Sequence, residues 1–201
     1  MLSDELERDG YVVIRGFLND AELAELQQNL QRFISEKIPE LPQQQVYYED
    51  KNNPATLKQI QRLFEHDDYF ANLFFNSNFE QLAQTLLQAS VVGKNMQYFN
   101  KPPGVGKATP PHQDGFYFML DPCEAVTMWL ALDEVDKENG CLRYVKGSHQ
   151  QGLRSHQRTQ TLGFSQGIAD FGNEHDQNNE IALPAKPVSY THLRAHETPL
   201  H

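Results

Sequence analysis

The spacing of apolar residues changes near residue 91, and this change limits the possible folds more than any other feature of the chain. Before it, apolar residues recur at helical spacing, first in the run Leu23, Leu26, Leu30, Phe33 and Ile34 and again between about Ala55 and Ala89. After it, the chain offers short runs of strand-forming residues separated by turn signals. Helices followed by short strands predict an α+β fold whose strands form a sandwich or jelly roll.

Individual segments follow this division. An early strand is predicted at Tyr11–Arg15, and Asn19 or Asp20 is expected to cap the helix that follows it. A polar loop is expected from Gln43 to Pro54, and a longer loop or lid from Gln150 to Glu180. The later strands are predicted at Val91–Phe99, Phe116–Leu120, Ala125–Leu132 and Leu142–Val145.

Charge and cysteine content exclude several classes of protein. The chain has 201 residues, with 27 acidic against 17 basic side chains, which gives a formal net charge of −10. Nucleic acids and anionic membranes require a basic face, so neither is an expected partner. The acidic N-terminus does not resemble a secretory signal, no apolar run approaches a membrane span, and Cys123 and Cys141 are expected to be reduced thiols in the cytoplasm.

A histidine and a carboxylate lie two residues apart in the run His112-Gln113-Asp114. On an extended backbone these two side chains project to the same side, where both can bind one metal ion. A second histidine from a distant strand would complete the two-His-one-carboxylate triad of non-haem Fe(II) oxygenases.

Further motifs flank this run in a fixed order. They resemble the phytanoyl-CoA dioxygenase family of Fe(II)/2-oxoglutarate-dependent oxygenases, and the resemblance extends to about Pro187. The matching pieces are Asp9–Leu18, Asn100–Gly104, His112–Asp114, Trp129, Asp136–Leu142 and Lys146–His149.

The resemblance implies a double-stranded β-helix, a cupin-like jelly roll with the N-terminal helices packed on one side. It also implies Fe(II) bound by His112 and Asp114, 2-oxoglutarate as cosubstrate, O₂, and a small-molecule substrate. Gln113 and Trp129 match positions that line the family's pocket and contact the cosubstrate. Related halogenases have a small apolar residue at the position of Asp114, so the carboxylate favours hydroxylation.

Other polar residues have two interpretations each. Asn95 and Gln97 share a predicted strand face with Phe99, and they either bind the cosubstrate or are solvated. Trp129 serves either the pocket or the core. His149 is expected to be a loop residue and not a ligand, and His66, His156 and His175 are expected to be solvated because their neighbours are polar.

The family pattern stops after Pro187. The resemblance implies a Gly-Asp pair there, a hydrophobic strand with the distal histidine, and about a dozen residues later an arginine that binds 2-oxoglutarate bidentately. The chain instead continues with Val188–His201. Either His192, His196 or His201 replaces the distal ligand with Arg194 as the anion anchor, or residues 188–201 are a non-native tail on a truncated gene.

The second interpretation is favoured because the pattern is lost abruptly. It predicts a dioxygenase-like domain over residues 1–187, helical to about residue 90 and jelly-roll from about 91, with its last core strands missing and its activity impaired. Two alternatives stay open: a non-catalytic jelly-roll binding module, and a zinc or nickel site in the histidine-rich tail.

Overall fold

The computed structural model describes residues 1–187, 190–194 and 199–200, the last two segments by their backbone. The helices are α1 (Leu2–Asp9), α2 (Asp20–Glu36), α3 (Asp68–Phe75), α4 (Asn78–Leu87), α5 (Asp114–Phe118) and α6 (Glu174–Asn179). Short 3₁₀ helices lie at Ile38–Glu40, Gln43–Gln45, Pro54–Thr56, Leu63–Glu65 and Ser148–Gln151. The strands are β1 (Tyr11–Ile14), β2 (Val46–Tyr48), β3 (Leu57–Gln61), β4 (Gln97–Phe99), β5 (Val126–Leu130), β6 (Leu142–Val145), β7 (His156–Thr161), β8 (Phe164–Ile168), β9 (Glu180–Leu183), β10 (Tyr190–Arg194) and β11 (Pro199–Leu200).

The chain forms two compact units that are not consecutive in sequence. The first unit joins Met1–Asp20 to Ala108–His201, and the second unit is Ala21–Lys107. The fold is therefore mixed α and β, but the N-terminal strand belongs with the later strands. None of the helices in the described part of the chain is long and apolar enough to cross a membrane.

Antiparallel sheets build the described part of the first unit. One has the order β1-β10-β5, a second has the order β11-β6-β9, and β7 pairs with β8 as a hairpin. A hydrophobic cluster forms around Leu142 and Tyr144, which are 1% and 0% exposed, with Trp129 packed against them. The ring of Tyr11 stacks on that of Tyr144 at 5.5 Å. Leu142 and Tyr144, two positions apart on β6, thus face the core together, as the alternation of side chains along a strand requires.

The end of α1 is attached to the Lys146–His149 turn of the same unit. Helix α1 ends at Gly10, whose φ of 83° is left-handed and suits glycine. The Gly147 N–H donates to the carbonyl oxygen of Asp9 at 2.9 Å. His149 Nε2 donates to the carbonyl oxygen of Glu7 at 2.9 Å, so the ring caps the helix end as a loop residue.

The second unit packs helices beside a three-stranded antiparallel sheet of order β2-β3-β4. The apolar stripe of α2 buries Leu26, Leu30 and Phe33, and Phe33 meets Phe70 edge-to-face at 5.4 Å. Helix α3 begins where the Asp67 carboxylate accepts the Tyr69 N–H at 3.1 Å.

Four predicted elements were wrong, and the first is the expected polar loop from Gln43 to Pro54, which contains strand β2. Leu57–Gln61, expected to be helical, is strand β3, because its side chains fit a sheet buried on both faces. Phe116–Leu120, expected to be a strand, belongs largely to helix α5. The expected loop from Gln150 to Glu180 contains the β7–β8 hairpin and α6, since Asn173 caps α6 and forms a capping box with Asp176.

The contact between Asp9 and Lys146 predicts a pH-dependent stability. The pKa of Asp9 is lowered to about 2 because Arg8 donates to its carboxylate and Lys146 lies close by, at 3.1 Å. Since the folded-state pKa lies below the ordinary value of 3.8, the stabilisation is present above about pH 4 and is lost as the pH falls towards 2. Both cations are half-exposed, which screens the effect.

We expect Asp9→Asn to lower the free energy of unfolding by about 1 kcal/mol at pH 7, and the difference to disappear between pH 4 and pH 2. Urea denaturation at several pH values measures this. Asp133→Asn, at an exposed carboxylate of the same unit, is the control and should change little at any pH. An Asp9→Asn difference that is equal at pH 7 and pH 2 would show that the carboxylate charge is not responsible.

Candidate metal centre

The segment before His112 is held by strand β8. The Ile168 N–H donates to the carbonyl oxygen of Pro111 at 2.8 Å. Gly167 allows this close approach, because a Cβ there would lie 3.1 Å from that carbonyl oxygen and 3.2 Å from Pro110 Cβ. The backbone that leads into His112 is therefore held in place by a strand that is distant in sequence.

His112 is 3% exposed and its ring orientation is set by the backbone. Its Nδ1 lies 2.9 Å from the carbonyl oxygen of Pro110. A carbonyl oxygen only accepts, so Nδ1 carries the proton and the neutral ring has its lone pair on Nε2. Phe164 and Tyr117 lie against the imidazole, with ring centroids at 5.0 and 5.9 Å.

Asp114 lies on the same side as His112. The intervening Gln113 is extended, with φ −118° and ψ 124°, before the chain turns into α5 at Asp114. One carboxylate oxygen, Oδ1, lies 3.4 Å from His112 Nε2. The other, Oδ2, accepts a hydrogen bond from Thr127 Oγ1 at 2.6 Å.

These two side chains fit a divalent metal ion. An imidazole nitrogen and a carboxylate oxygen on the same side of the chain are donor types that first-row metals bind. Metal bonds of about 2.1 Å to nitrogen and oxygen readily bridge a separation of this size. The Pro110 carbonyl and the Thr127 hydroxyl supply the outer hydrogen bonds that orient such ligands.

The third donor is not found among the described side chains. Within that part of the chain, no three His, Cys, Asp or Glu residues converge as a metal-binding group. The backbone of His192 lies in β10, in register with Met128 of β5 and one position away from Thr127. Only its backbone is described, so its role as a ligand stays a prediction. His196 and His201 lie outside the described residues.

Two predicted pocket residues have other contacts. Gln113 is 0% exposed, and its amide bonds to the backbone of residues 152 and 154: Nε2 donates to the Gly152 carbonyl oxygen and Oε1 accepts the Arg154 N–H. Trp129 packs against the cluster around Leu142 and Tyr144. Their contacts with the cosubstrate stay predictions.

Asn95 and Gln97 lie in the second unit. Asn95 is exposed just before β4, and Gln97 is on that strand. Gln97 Oε1 accepts a hydrogen bond at 2.7 Å from Gln59 Nε2, and Gln59 is 2% exposed. Of the two residues, only Gln97 therefore lies on the strand, because Asn95 precedes it. The roles of both residues towards the cosubstrate stay predictions.

Sequence reasoning missed Thr127 and misplaced His156. Side chains alternate along β5, so Thr127 lies on the same face as Trp129, which was predicted to line the pocket. This alternation could have identified Thr127 as a residue near the site. His156 was expected to be solvated, but its ring stacks on Phe116 at 4.1 Å and its Nε2 accepts the Gln113 N–H at 3.0 Å. Burial lowers the pKa of His156, which favours this neutral acceptor form. Phe116 and His156 are far apart in sequence, so no local pattern predicts their contact.

Comparison with known proteins identifies the family of the chain. The chain matches the sequence profile of the family described as Phytanoyl-CoA dioxygenase (PhyH) over residues 6–189. It is 27% identical over 185 residues to "Phytanoyl-CoA dioxygenase domain-containing protein 1 homolog" of Caenorhabditis elegans, covering 74% of this chain and 64% of the relative. It is 36% identical over 92 residues to "Phytanoyl-CoA dioxygenase 1" of Oryza sativa subsp. japonica, covering 46% of this chain and 33% of the relative. The chain thus spans between a third and two thirds of the length of these relatives.

Solved structures share the fold. EctD from S. alaskensis with 2-oxoglutarate and 5-hydroxyectoine superposes with a TM-score of 0.79 at 19% identity, over 98% of this chain and 68% of that chain. The epimerase SnoN in complex with Fe³⁺, alpha ketoglutarate and nogalamycin RO gives 0.73 at 21% identity, over 99% and 75%. The profile match covers the strands and motifs that build the His112–Asp114 pair, and the chain therefore belongs to the phytanoyl-CoA dioxygenase family.

Proposed function

We propose that this chain derives from an Fe(II)/2-oxoglutarate-dependent dioxygenase that hydroxylates a small molecule, with impaired activity in the chain as it stands. The observation that carries the proposal is the buried His112 Nε2, oriented by the Pro110 carbonyl, 3.4 Å from Asp114 Oδ1. Fe³⁺ or 2-oxoglutarate in solved relatives of the same fold supports the same cofactors here. The antiparallel sheets of the first unit support a jelly roll as the core.

Bound Fe(II) with 2-oxoglutarate and O₂ would supply oxidative decarboxylation coupled to hydroxylation of a C–H bond. His112 and Asp114 would hold the metal on one side. Thr127 holds one carboxylate oxygen, so that the other is directed towards the imidazole. Phe164 and Tyr117 shield the ring of His112 from water. The chain's own contribution is thus orientation and exclusion of solvent.

We further propose that residues 188–201 are non-native and that the family's last core strands are missing. The family match ends at residue 189, where the expected Gly-Asp pair is replaced by Val188 and Ser189. A site with two of its three protein ligands would bind Fe(II) weakly.

Anaerobic titration with Fe(II) and 2-oxoglutarate tests these proposals. We expect the chain as it stands to give little metal-to-ligand charge-transfer absorption in the titration and, once O₂ is admitted, to form succinate only at the background rate. We expect strong absorption and turnover once residues 188–201 are replaced by the gene's own continuation, provided this contains a histidine followed about a dozen residues later by an arginine.

Two outcomes would contradict this. A strong absorption band from the chain as it stands would show that its metal site is complete. A native continuation without the histidine and arginine would instead favour the non-catalytic binding module, for which the lack of a third donor among the described side chains is the supporting observation.

The substrate is not fixed by the fold. The solved relatives were crystallised with compounds as different as 5-hydroxyectoine and nogalamycin RO. We therefore propose only a small molecule that reaches the His112–Asp114 pair. The cytoplasmic location stays a prediction, and a bovine relative is named "peroxisomal".

A further inference from the structure

Gln113, between the two proposed metal ligands, forms hydrogen bonds through its backbone and through both ends of its side-chain amide. Its backbone N–H donates to His156 Nε2 at 3.0 Å, its side-chain Nε2 donates to the Gly152 carbonyl oxygen at 3.0 Å, and its Oε1 accepts the Arg154 N–H at 2.7 Å. The side chain is 0% exposed. Both ends of the amide and the peptide N–H thus bond to residues 152–156, about forty positions away in sequence.

His156 is fixed in one tautomer. Its Nδ1 lies 2.9 Å from the carbonyl oxygen of Arg154, which can only accept, so Nδ1 carries the proton. Nε2 is then the acceptor that the Gln113 N–H requires. The ring also stacks on Phe116, with an interplanar angle of 19°. His156 therefore holds the peptide between the two proposed ligands.

A buried ion pair holds residues 152–156 in turn. Arg154 Nη1 lies 2.8 Å from Asp176 Oδ1, with side chains that are 9% and 1% exposed. The same guanidinium donates to the carboxylate of Asp170 at 3.0 Å. The other oxygen of Asp176 accepts the Gly172 N–H at 2.8 Å, which ties the pair to the start of α6. Moving the two groups of such a buried ion pair apart would leave an uncompensated buried charge, so the pair holds its position firmly.

We propose that Gln113 is a positioning residue of the metal centre, which fixes the His112–Asp114 peptide to residues 152–156, where the Arg154–Asp176 pair holds it. Its amide is committed to the protein backbone and not to the cosubstrate. The proposal rests on the proposed function only in naming His112 and Asp114 as ligands. The contacts themselves belong to the metal-free protein, so they can be tested without a working enzyme.

The first test uses the unaltered, metal-free chain. Long-range ¹H–¹⁵N spectra of its histidines should show the Nδ1–H tautomer for His156. Amide exchange should show protected N–H groups at Gln113 and Arg154. An Nε2–H tautomer at His156, or rapid exchange at both amides, would overturn the proposal whatever the chain's activity.

The second test compares Gln113→Leu with Gln157→Leu, which removes the same amide from an exposed position on β7. Exchange of the Arg154 N–H should rise roughly tenfold in Gln113→Leu alone, because its acceptor is gone. The Fe(II) dissociation constant should rise by roughly tenfold or more, as for other outer contacts of metal ligands. If Gln113 instead binds the cosubstrate, Arg154 exchange will be unchanged and only 2-oxoglutarate binding will weaken.

The proposed function and this proposal fail in different ways. A chain that binds no Fe(II) at all contradicts the metal site, yet the tautomer and exchange measurements still decide the role of Gln113. Should Gln113→Leu fail to fold, the measurements on the unaltered chain remain decisive.

Discussion

Replacement of Asp114 by alanine is expected to abolish the weak Fe(II) binding that we propose for the intact chain. The carboxylate supplies one of the two donor atoms that face each other at 3.4 Å, and Thr127 already holds its second oxygen in place. Without it, a single imidazole remains, and one neutral nitrogen does not hold a hard divalent cation against water. Anaerobic calorimetry with Fe(II), or electron paramagnetic resonance with Mn(II), measures the loss.

The matched control is Asp133→Ala, which removes an exposed carboxylate from the same unit. It should leave metal binding unchanged, because general electrostatic attraction to an acidic surface is weak and screened by salt. Equal metal affinity of Asp114→Ala and the parent chain would rule out the His112–Asp114 pair as the metal site.

The second large effect is expected at Arg154. Replacing it by methionine keeps an unbranched, largely aliphatic side chain but leaves the carboxylate of Asp176, 1% exposed, without its cation. The remaining N–H donors from Gly172 and Asn173 compensate only in part. We expect the free energy of unfolding of the first unit to fall by about 3 kcal/mol. Trp129, the single tryptophan of the sequence, lies in this unit and reports its unfolding in urea.

A double variant separates charge from packing in this prediction. Arg154→Met with Asp176→Asn removes both charges and should recover at least half of the loss, since an amide is far less costly to bury than an unpaired carboxylate. Arg158, which is exposed on β7 of the same unit, provides the control, and Arg158→Met should change the stability by less than about 0.5 kcal/mol. A double variant as unstable as the single one would mean that Arg154 acts through its packing.

The His112–Asp114 pair could be predicted because it depends on local geometry alone. Side chains alternate along an extended backbone, and Gln113 is extended. The strand predicted at Ala125–Leu132 contains β5, since its apolar alternation is strong over several residues. The strand predicted at Phe116–Leu120 failed because its aromatic residues suggest a strand, while the chain turns into α5 at Asp114.

The residues around the pair could not be predicted from local patterns. Thr127 reaches Asp114 from another strand, and His156, Arg154 and Asp176 come from a segment whose polar composition suggested a loop. Polar side chains carry no period that reveals which distant backbone they will satisfy. Gln113 illustrates this. The family resemblance implies a contact with the cosubstrate, whereas the structure shows hydrogen bonds to the Gly152 carbonyl oxygen and the Arg154 N–H.

By itself, the sequence determined the membership of the family, the juxtaposition of His112 and Asp114 and the α+β character, because each depends on local spacing or on an ordered set of motifs. Only the tertiary structure decided that the N-terminal strand joins the later sheets, that the polar segment after Gln150 is folded, and that Gln113 bonds to it. The physical reason is that hydrophobic periodicity encodes an element and its buried face, whereas the pairing of buried polar groups depends on which distant donor and acceptor the folded backbone brings within 3 Å.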